Sequence, residues 1–175
     1  MPLADEHLEW EVELESDPEV LRYLSGRAGT REEVELVHER RIAVARKVDG
    51  LGFWIGLVDH EFVGWWTLQP AHGPDQPDEP GVADLGYRLM RRDWGKGLAS
   101  EGARELVRYG FEEIRLERII AQTLAVNADS RKVMERVGLT YVRTFPSSST
   151  APVAGVEEGE VEYELTREQW QGRAT

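Results

Sequence analysis

Arg92, Gly95 and Gly97 stand in the run Arg92-Asp93-Trp94-Gly95-Lys96-Gly97, between a stretch that suits a strand and one that suits a helix. Unpaired N–H groups converge at a helix start, and glycine lets an anion come close to that backbone. The chemistry on offer is the holding of a phosphate-bearing ligand. A tight turn between strand and helix would use the same two glycines without any ligand. Two other phosphate loops fit less well. A nucleotide-hydrolase loop needs Gly-x-x-x-x-Gly-Lys-Ser/Thr, whereas Lys96 precedes the second glycine and Leu98 follows it. A dinucleotide loop needs a third glycine where Ser100 stands, and an acid after the next strand, which ends Thr123-Leu124-Ala125.

These residues must be positioned by the elements around them. Leu3, Leu8, Trp10 and Leu14 are loosely helical in spacing, and Ser16-Asp17-Pro18 reads as a second helix start, so two short helices are predicted up to Gly26. Thr30 with Glu33 forms a capping box for a helix reaching Val48. Leu51 to Val58 and Phe62 to Leu68 are β-branched and aromatic, with Asp59-His60-Glu61 between them, which predicts an antiparallel hairpin. Gln69 to Gly81 holds four prolines, two glycines and three acids, a loop composition. A strand over Val82 to Met90, a helix from Leu98 to Arg115, a strand over Glu117 to Leu124, a helix capped by Asn127 and ended by Gly138, and a strand over Leu139 to Phe145 follow. Pro146 to Gly159 reads as a flexible connection before a last strand, in which Val161, Tyr163 and Leu165 alternate with glutamates. No internal repeat is present. A hairpin followed by crossover units predicts a mixed sheet in an α/β or α+β domain with helices on both faces.

Composition narrows the possibilities further. The 175 residues suit a single domain, 1–175, and 41% hydrophobic with 31% charged residues fits a soluble globular chain. A formal charge of −12 repels phosphate backbones and anionic lipid and attracts amines, so nucleic acid and membrane are not expected as partners. Without cysteine there is no thiol nucleophile, disulfide or Cys-rich zinc site, and the four histidines lack ligand spacing, so no metal is expected. The start is acidic where a signal peptide is basic, and no apolar run nears the ~20 residues of a membrane span, which points to the cytoplasm.

Three linked stretches carry a resemblance. Asp84-Leu85-Gly86-Tyr87-Arg88-Leu89, Trp94-Gly95-Lys96-Gly97-Leu98-Ala99-Ser100-Glu101, and Asn127 through Gly138-Leu139 resemble the acyl-CoA N-acyltransferases of the GNAT superfamily, in particular the RimJ/RimL-like branch. The resemblance implies a mixed, mainly antiparallel sheet splayed in the middle so that coenzyme A inserts between two strands. It places the coenzyme's diphosphate on the N–H groups of Arg92, Trp94, Gly95, Lys96, Gly97, Leu98 and Ala99, with Trp94 flanking the phosphates. It also places a backbone N–H near Leu89 or Met90 on the thioester oxygen, and Asn127 and Ser130 beside the thioester. Gly86 is the expected bulge.

Acylation of an amine by a thioester needs a neutral amine, an aligned approach, charge stabilisation on the oxygen and an exit for the thiolate. By the resemblance Asp84 stands where the branch carries an acid, able to take the ammonium proton through water; a solvated carboxylate or a partner for Arg88 would look the same. Many members carry a tyrosine four residues past that serine. This chain has Met134, which leaves Ser130 as donor, or a thiolate that departs unaided. The opening strand usual in the family is missing or shortened, so the sheet lacks it, a second copy covers the edge in a homodimer, or the start lies upstream.

The acceptor side is expected from the early helices, Gln69 to Gly81 and Ser147 to Gly159. Trp10, Trp54, Trp65 and Trp66 suit either a cation pocket or the core. Three readings follow: an acetyl-CoA-dependent N-acetyltransferase acting on a protein N-terminal amine, the same chemistry on a small amine metabolite or antibiotic, and a CoA-binding regulatory or inactive domain.

Overall fold

The structure, a computed structural model, describes residues 1–71, 73, 75–77 and 79–173. His72, Pro74 and Asp78, which fall within the predicted Gln69 to Gly81 loop, lie outside the described residues.

The apolar pairs of the predicted hairpin form strands β1 (Gly52–Val58) and β2 (Glu61–Pro70), joined by Asp59 and His60, both at positive φ. Two left-handed residues give the turn whose twist matches a two-residue hairpin. β2 runs two residues further than the spacing predicts. Its last residue, Pro70, opposes Ala83 of β3 (Val82–Leu89) at the end of the ladder, where a missing N–H is tolerated. Strand β4 (Arg118–Leu124), β5 (Thr140–Phe145) and β6 (Glu160–Thr166) complete one sheet in the order β1-β2-β3-β4-β6-β5. Every neighbouring pair is antiparallel except β3 with β4.

That parallel pairing is short. Val82, Ala83 and Asp84 match Arg118, Ile119 and Ile120, and beyond Asp84 the two strands part. The sheet is thus forked in its middle, as the resemblance implies.

Helices cover both faces. Helices α1 (Leu8–Glu15) and α2 (Arg31–Lys47) lie over a core of Leu14, Phe53, Ile55, Phe62, Trp65 and Met90. Helices α3 (Leu98–Glu112) and α4 (Ala128–Arg136) cover the other face, where Trp66, Leu68, Leu85, Phe111, Ile119 and Tyr163 are packed. A charged cluster is buried on the first face: Glu11 accepts from Arg41 and pairs with His38, and Glu15 accepts from Arg41 at 2.8 Å and from Arg88 at 2.6 Å.

Several expectations need correction. Asp17 to Gly26 is a string of turns, not a second helix: Val20 N–H bonds Asp17 and Leu24 N–H bonds Leu21, three residues back, while the Asp17 carboxylate takes the Glu19 N–H at 2.9 Å. Gly86 is not a bulge, because the β2–β3 register passes it unbroken. The irregularity lies in β2, where the β1 register shifts around Val63 and Gly64 takes φ 147. A Cβ at Gly64 would stand 2.3 Å from the Arg88 carbonyl, so only glycine lets β2 approach β3 there. The expectation of a shortened opening strand, by contrast, holds: Pro2 bridges Trp54, and Leu3 N–H bonds the Phe53 carbonyl at 2.9 Å. The segment after β5 is partly built in, with Val153 buried and a 3-10 turn over Val156–Glu158. A further short helix, α5 (Arg167–Gln171), follows β6 behind a Thr166–Gln169 capping box.

Candidate active site in the forked sheet

The fork opens into a cleft of about 770 Å³. Its walls are built by main chain as much as by side chains. In the regular strand β3, successive N–H groups point to opposite edges. Met90 N–H donates to the Val63 carbonyl at 2.9 Å, so the Leu89 N–H, and two residues deeper the Tyr87 N–H, project toward the parted edge. The Leu89 carbonyl on that same edge accepts from Trp94 Nε1 at 3.0 Å. Of the two amides expected at the thioester oxygen, Met90's is thus committed within the sheet and Leu89's faces the cleft.

At one end of the cleft the chain turns through Gly95 (φ 74) and Gly97 (φ 84) into α3. Gly97 caps α3 without any side-chain bond, and the first intrahelical bond is Glu101 N–H to the Gly97 carbonyl at 3.0 Å. The N–H groups of Leu98, Ala99 and Ser100 therefore have no helical partner. A Cβ built at Gly95 or Gly97 would meet nothing within 4 Å, so open space fronts this ring of amides and the positive end of the helix. The space and the donors fit a diphosphate. Ser100 lies in the same wall, and its buried hydroxyl has no partner among the described residues. Trp94, 44% exposed, flanks the turn. Side chains of Arg92 and Lys96 are engaged elsewhere: Arg92 with Glu13 at 2.8 Å and the Phe62 carbonyl at 3.0 Å, Lys96 with Asp93 at 2.8 Å.

α3 is held against the sheet at close range. Trp66 Nε1 donates to the Ala99 carbonyl at 3.1 Å, and a Cβ at Gly102 would stand 2.4 Å from the Trp66 ring. The depth of the phosphate turn is set by that contact.

On the opposite wall Asn127 caps α4. Its Oδ1 accepts the Ser130 N–H at 3.2 Å and its amide donates to Thr123 Oγ1 at 3.0 Å. Asp129, Lys132, Val133 and Arg136 line the cleft from one face of the helix, with Lys132 paired to Asp129 at 3.4 Å. Met134, at the family's tyrosine position, is 2% exposed and part of the core.

Sequence reasoning missed Tyr87. Its phenol donates to the Ser130 carbonyl at 2.9 Å and lies 3.0 Å from Ser130 Oγ, bridging β3 to α4 across the fork. Burial pushes the phenol above its ordinary range, with the Ser130 bond opposing. A tyrosine in a buried strand reads as core; the signal that could have found it was its parity with Leu85 and Leu89, both facing the α3 side.

Asp84, half-buried, sits at the apex, in the last β3–β4 pair before the strands separate. Arg88 is paired with Glu15 at 2.6 Å; burial holds its guanidinium down to about 10, against the pull of Glu15. The lining also includes Glu19, Tyr23 and Leu24 from the turns after α1, and Ser147, Val153 and Glu160 from the stretch between β5 and β6 and the start of β6, near where the acceptor side is expected. Of the four tryptophans only Trp65 lines the cleft, and the guanidiniums of Arg41 and Arg88 already stand over its ring at 4.7 and 5.0 Å. Trp54 packs on Tyr109, Trp66 on α3, and Trp10 between His7 and Phe62. No group of side chains that could hold a metal ion occurs among the described residues.

A family model described as an acetyltransferase (GNAT) domain matches residues 1–140. The chain belongs to the GNAT acetyltransferase family. This GNAT enzyme is 43% identical over 173 residues, 97% of its own chain and 74% of the other, to an Aspergillus fumigatus protein named FsC-acetyl coenzyme A-N(2)-transacetylase. Its fold superposes on an aminoglycoside acetyltransferase solved with coenzyme A and kanamycin (TM-score 0.80, 16% identity, 100% and 98% of the two chains). It also superposes on the Vibrio cholerae spermidine N-acetyltransferase solved with coenzyme A and spermine (TM-score 0.76, 13% identity, 98% and 96%). The family is one of acetyltransferases, and no helix among the described residues is long and apolar enough to cross a membrane.

Proposed function

We propose that the enzyme, acting as one domain, acetylates a primary amine of a small molecule by direct attack in a ternary complex. The observation that carries this is the forked cleft, with free amides and open space at the Gly95–Gly97 turn and with Glu19, Tyr23, Ser147 and Glu160 in the same lining. The preference for a small acceptor over a protein N-terminus rests on the 43% identical transacetylase, whose name specifies an N(2) position.

In this reading the amides of Gly97 to Ser100 hold the diphosphate, and the Leu89 N–H pairs with the pantetheine arm. The Tyr87 N–H takes the thioester oxygen, since Tyr87 also reaches Ser130, beside which the thioester lies by family resemblance. The amine nitrogen attacks the carbonyl carbon; the C–N bond forms, the C–S bond breaks, and its electron pair leaves on sulfur. Asp84 at the apex receives the ammonium proton through water, and the Ser130 hydroxyl donates a hydrogen bond to the departing sulfur.

Thiol release from acetyl-CoA, followed against a panel of small amines and of peptides with free N-termini, tests the reading. Turnover with small amines and none with peptides is expected. Turnover confined to peptides would replace the acceptor class, and no thiol release with any amine would favour the binding-domain reading.

A further inference from the structure

We propose that Tyr87 is a positioning residue for the transfer, whose phenol fastens β3 to the first turn of α4 across the fork and sets where the Ser130 hydroxyl points. The inference rests on the reading of Ser130 as the group beside the thioester sulfur.

A phenol has one proton, and the Ser130 carbonyl, 2.9 Å away, can only accept. The Tyr87 proton is therefore committed to that carbonyl, and the 3.0 Å contact between Tyr87 Oη and Ser130 Oγ is made with the serine's proton. Ser130 is fastened at three points: its N–H to Asn127 Oδ1, its carbonyl to Tyr87, and its hydroxyl to Tyr87. At rest the hydroxyl proton is parked on the phenol oxygen and the serine lone pairs are free. As negative charge grows on sulfur, rotation about the Cβ–Oγ bond alone brings the proton to it, with no movement of α4.

The service is a hydrogen bond and not a proton transfer. An ordinary thiol loses its proton near pH 8.5 and an ordinary phenol near 10, and burial pushes this phenol higher still, so handing its proton to a thiolate runs uphill. The thiolate leaves as an anion stabilised by Ser130 and takes its proton from water. The phenol that the family carries four residues beyond the serine is replaced by buried Met134, and β3 supplies another to the same serine from the facing wall.

A double-mutant cycle tests this. Wild type, Tyr87→Phe, Ser130→Ala and the double variant are compared for kcat and for KM of acetyl-CoA with an amine the wild type turns over, with thermal melts as a check on folding. Loss of one oriented hydrogen bond in the transition state corresponds to about tenfold in rate. Tyr87→Phe is expected to lower kcat about tenfold with KM within about twofold, Ser130→Ala to do the same, and the double variant to fall no further than either. Wild-type kcat in Tyr87→Phe, or losses that multiply in the double variant, would overturn the proposal. If Tyr87→Phe does not fold, difluorotyrosine at position 87 keeps the shape and ionises at lower pH. An alkaline loss of kcat at lower pH than in wild type is then expected, and an unchanged profile overturns the proposal. A wild type inert toward every amine removes the underlying functional reading, and this inference with it; an active wild type with multiplying losses removes this inference alone.

Discussion

At the scale of single residues, the phosphate turn is the most constrained feature of the cleft. Gly97 occupies φ 84, where an L-residue costs roughly 1–2 kcal/mol, and the space in front of it is open. Alanine there adds strain and also places a methyl group where a phosphate oxygen would approach the amides. Gly97→Ala should raise KM for acetyl-CoA by at least about tenfold, equivalent to ~1.4 kcal/mol of lost binding, while kcat at saturation changes less. Steady-state kinetics check it. The turn at Gly95 and Gly97 and the helix cap at Asn127 were legible in the sequence because both depend on local spacing. Tyr87 was not, because what matters is a contact between residues 43 apart, and Met90 was misjudged because the direction of an amide depends on strand register.

At the scale of elements, α3 and the fork depend on each other. The helix lies on Trp66 through Gly102, and Trp66 in turn holds the Ala99 carbonyl in the first turn. In an exposed helix, alanine in place of glycine gains about 1 kcal/mol. Here its methyl would stand 2.4 Å from a ring that cannot fold away, and overpacking typically costs about 1–3 kcal/mol. The second effect wins. Gly102→Ala should lower the melting temperature, and by lifting the N-terminus of α3 it should also weaken acetyl-CoA binding, measurable by calorimetry. Helix α3 itself was readable from its apolar spacing, and the hairpin from its alternation. The turns over Asp17 to Gly26 were not, since Asp17 and Pro18 start a helix and a turn equally well, and the backbone bonds that follow, Val20 N–H to Asp17, Arg22 N–H to Glu19 and Leu24 N–H to Leu21, reach three residues back and not four.

At the scale of the whole molecule, stability should depend on pH through His7. The ring is buried, stacks on Trp10 at 5.0 Å, and its Nδ1 accepts the Ala4 N–H at 3.0 Å. Burial lowers its pKa below 6.5; the N-terminal ammonium and His38 push the same way, and Glu6 and Glu11 oppose. Between the lowered folded value and 6.5 the unfolded chain binds more protons than the folded one, so stability rises with pH across that window and is lost as pH falls through it. Wild type should melt at a lower temperature at pH 5.5 than at pH 7.5, and His7→Asn, which keeps an acceptor for Ala4, should show a smaller difference. An equal difference in both would assign the dependence to other groups. The sheet's fork, by contrast, was foreseeable only through resemblance: nothing in Val82 to Leu89 or Arg118 to Leu124 marks where two apolar strands stop pairing.

A structure of the enzyme crystallised with acetyl-CoA tests the central claim most directly. The diphosphate should lie on the amides of Gly97 to Ser100, with the arm between β3 and β4 and the thioester oxygen at the Tyr87 N–H. A coenzyme bound elsewhere, or a fork closed by strand pairing beyond Asp84, would contradict the account.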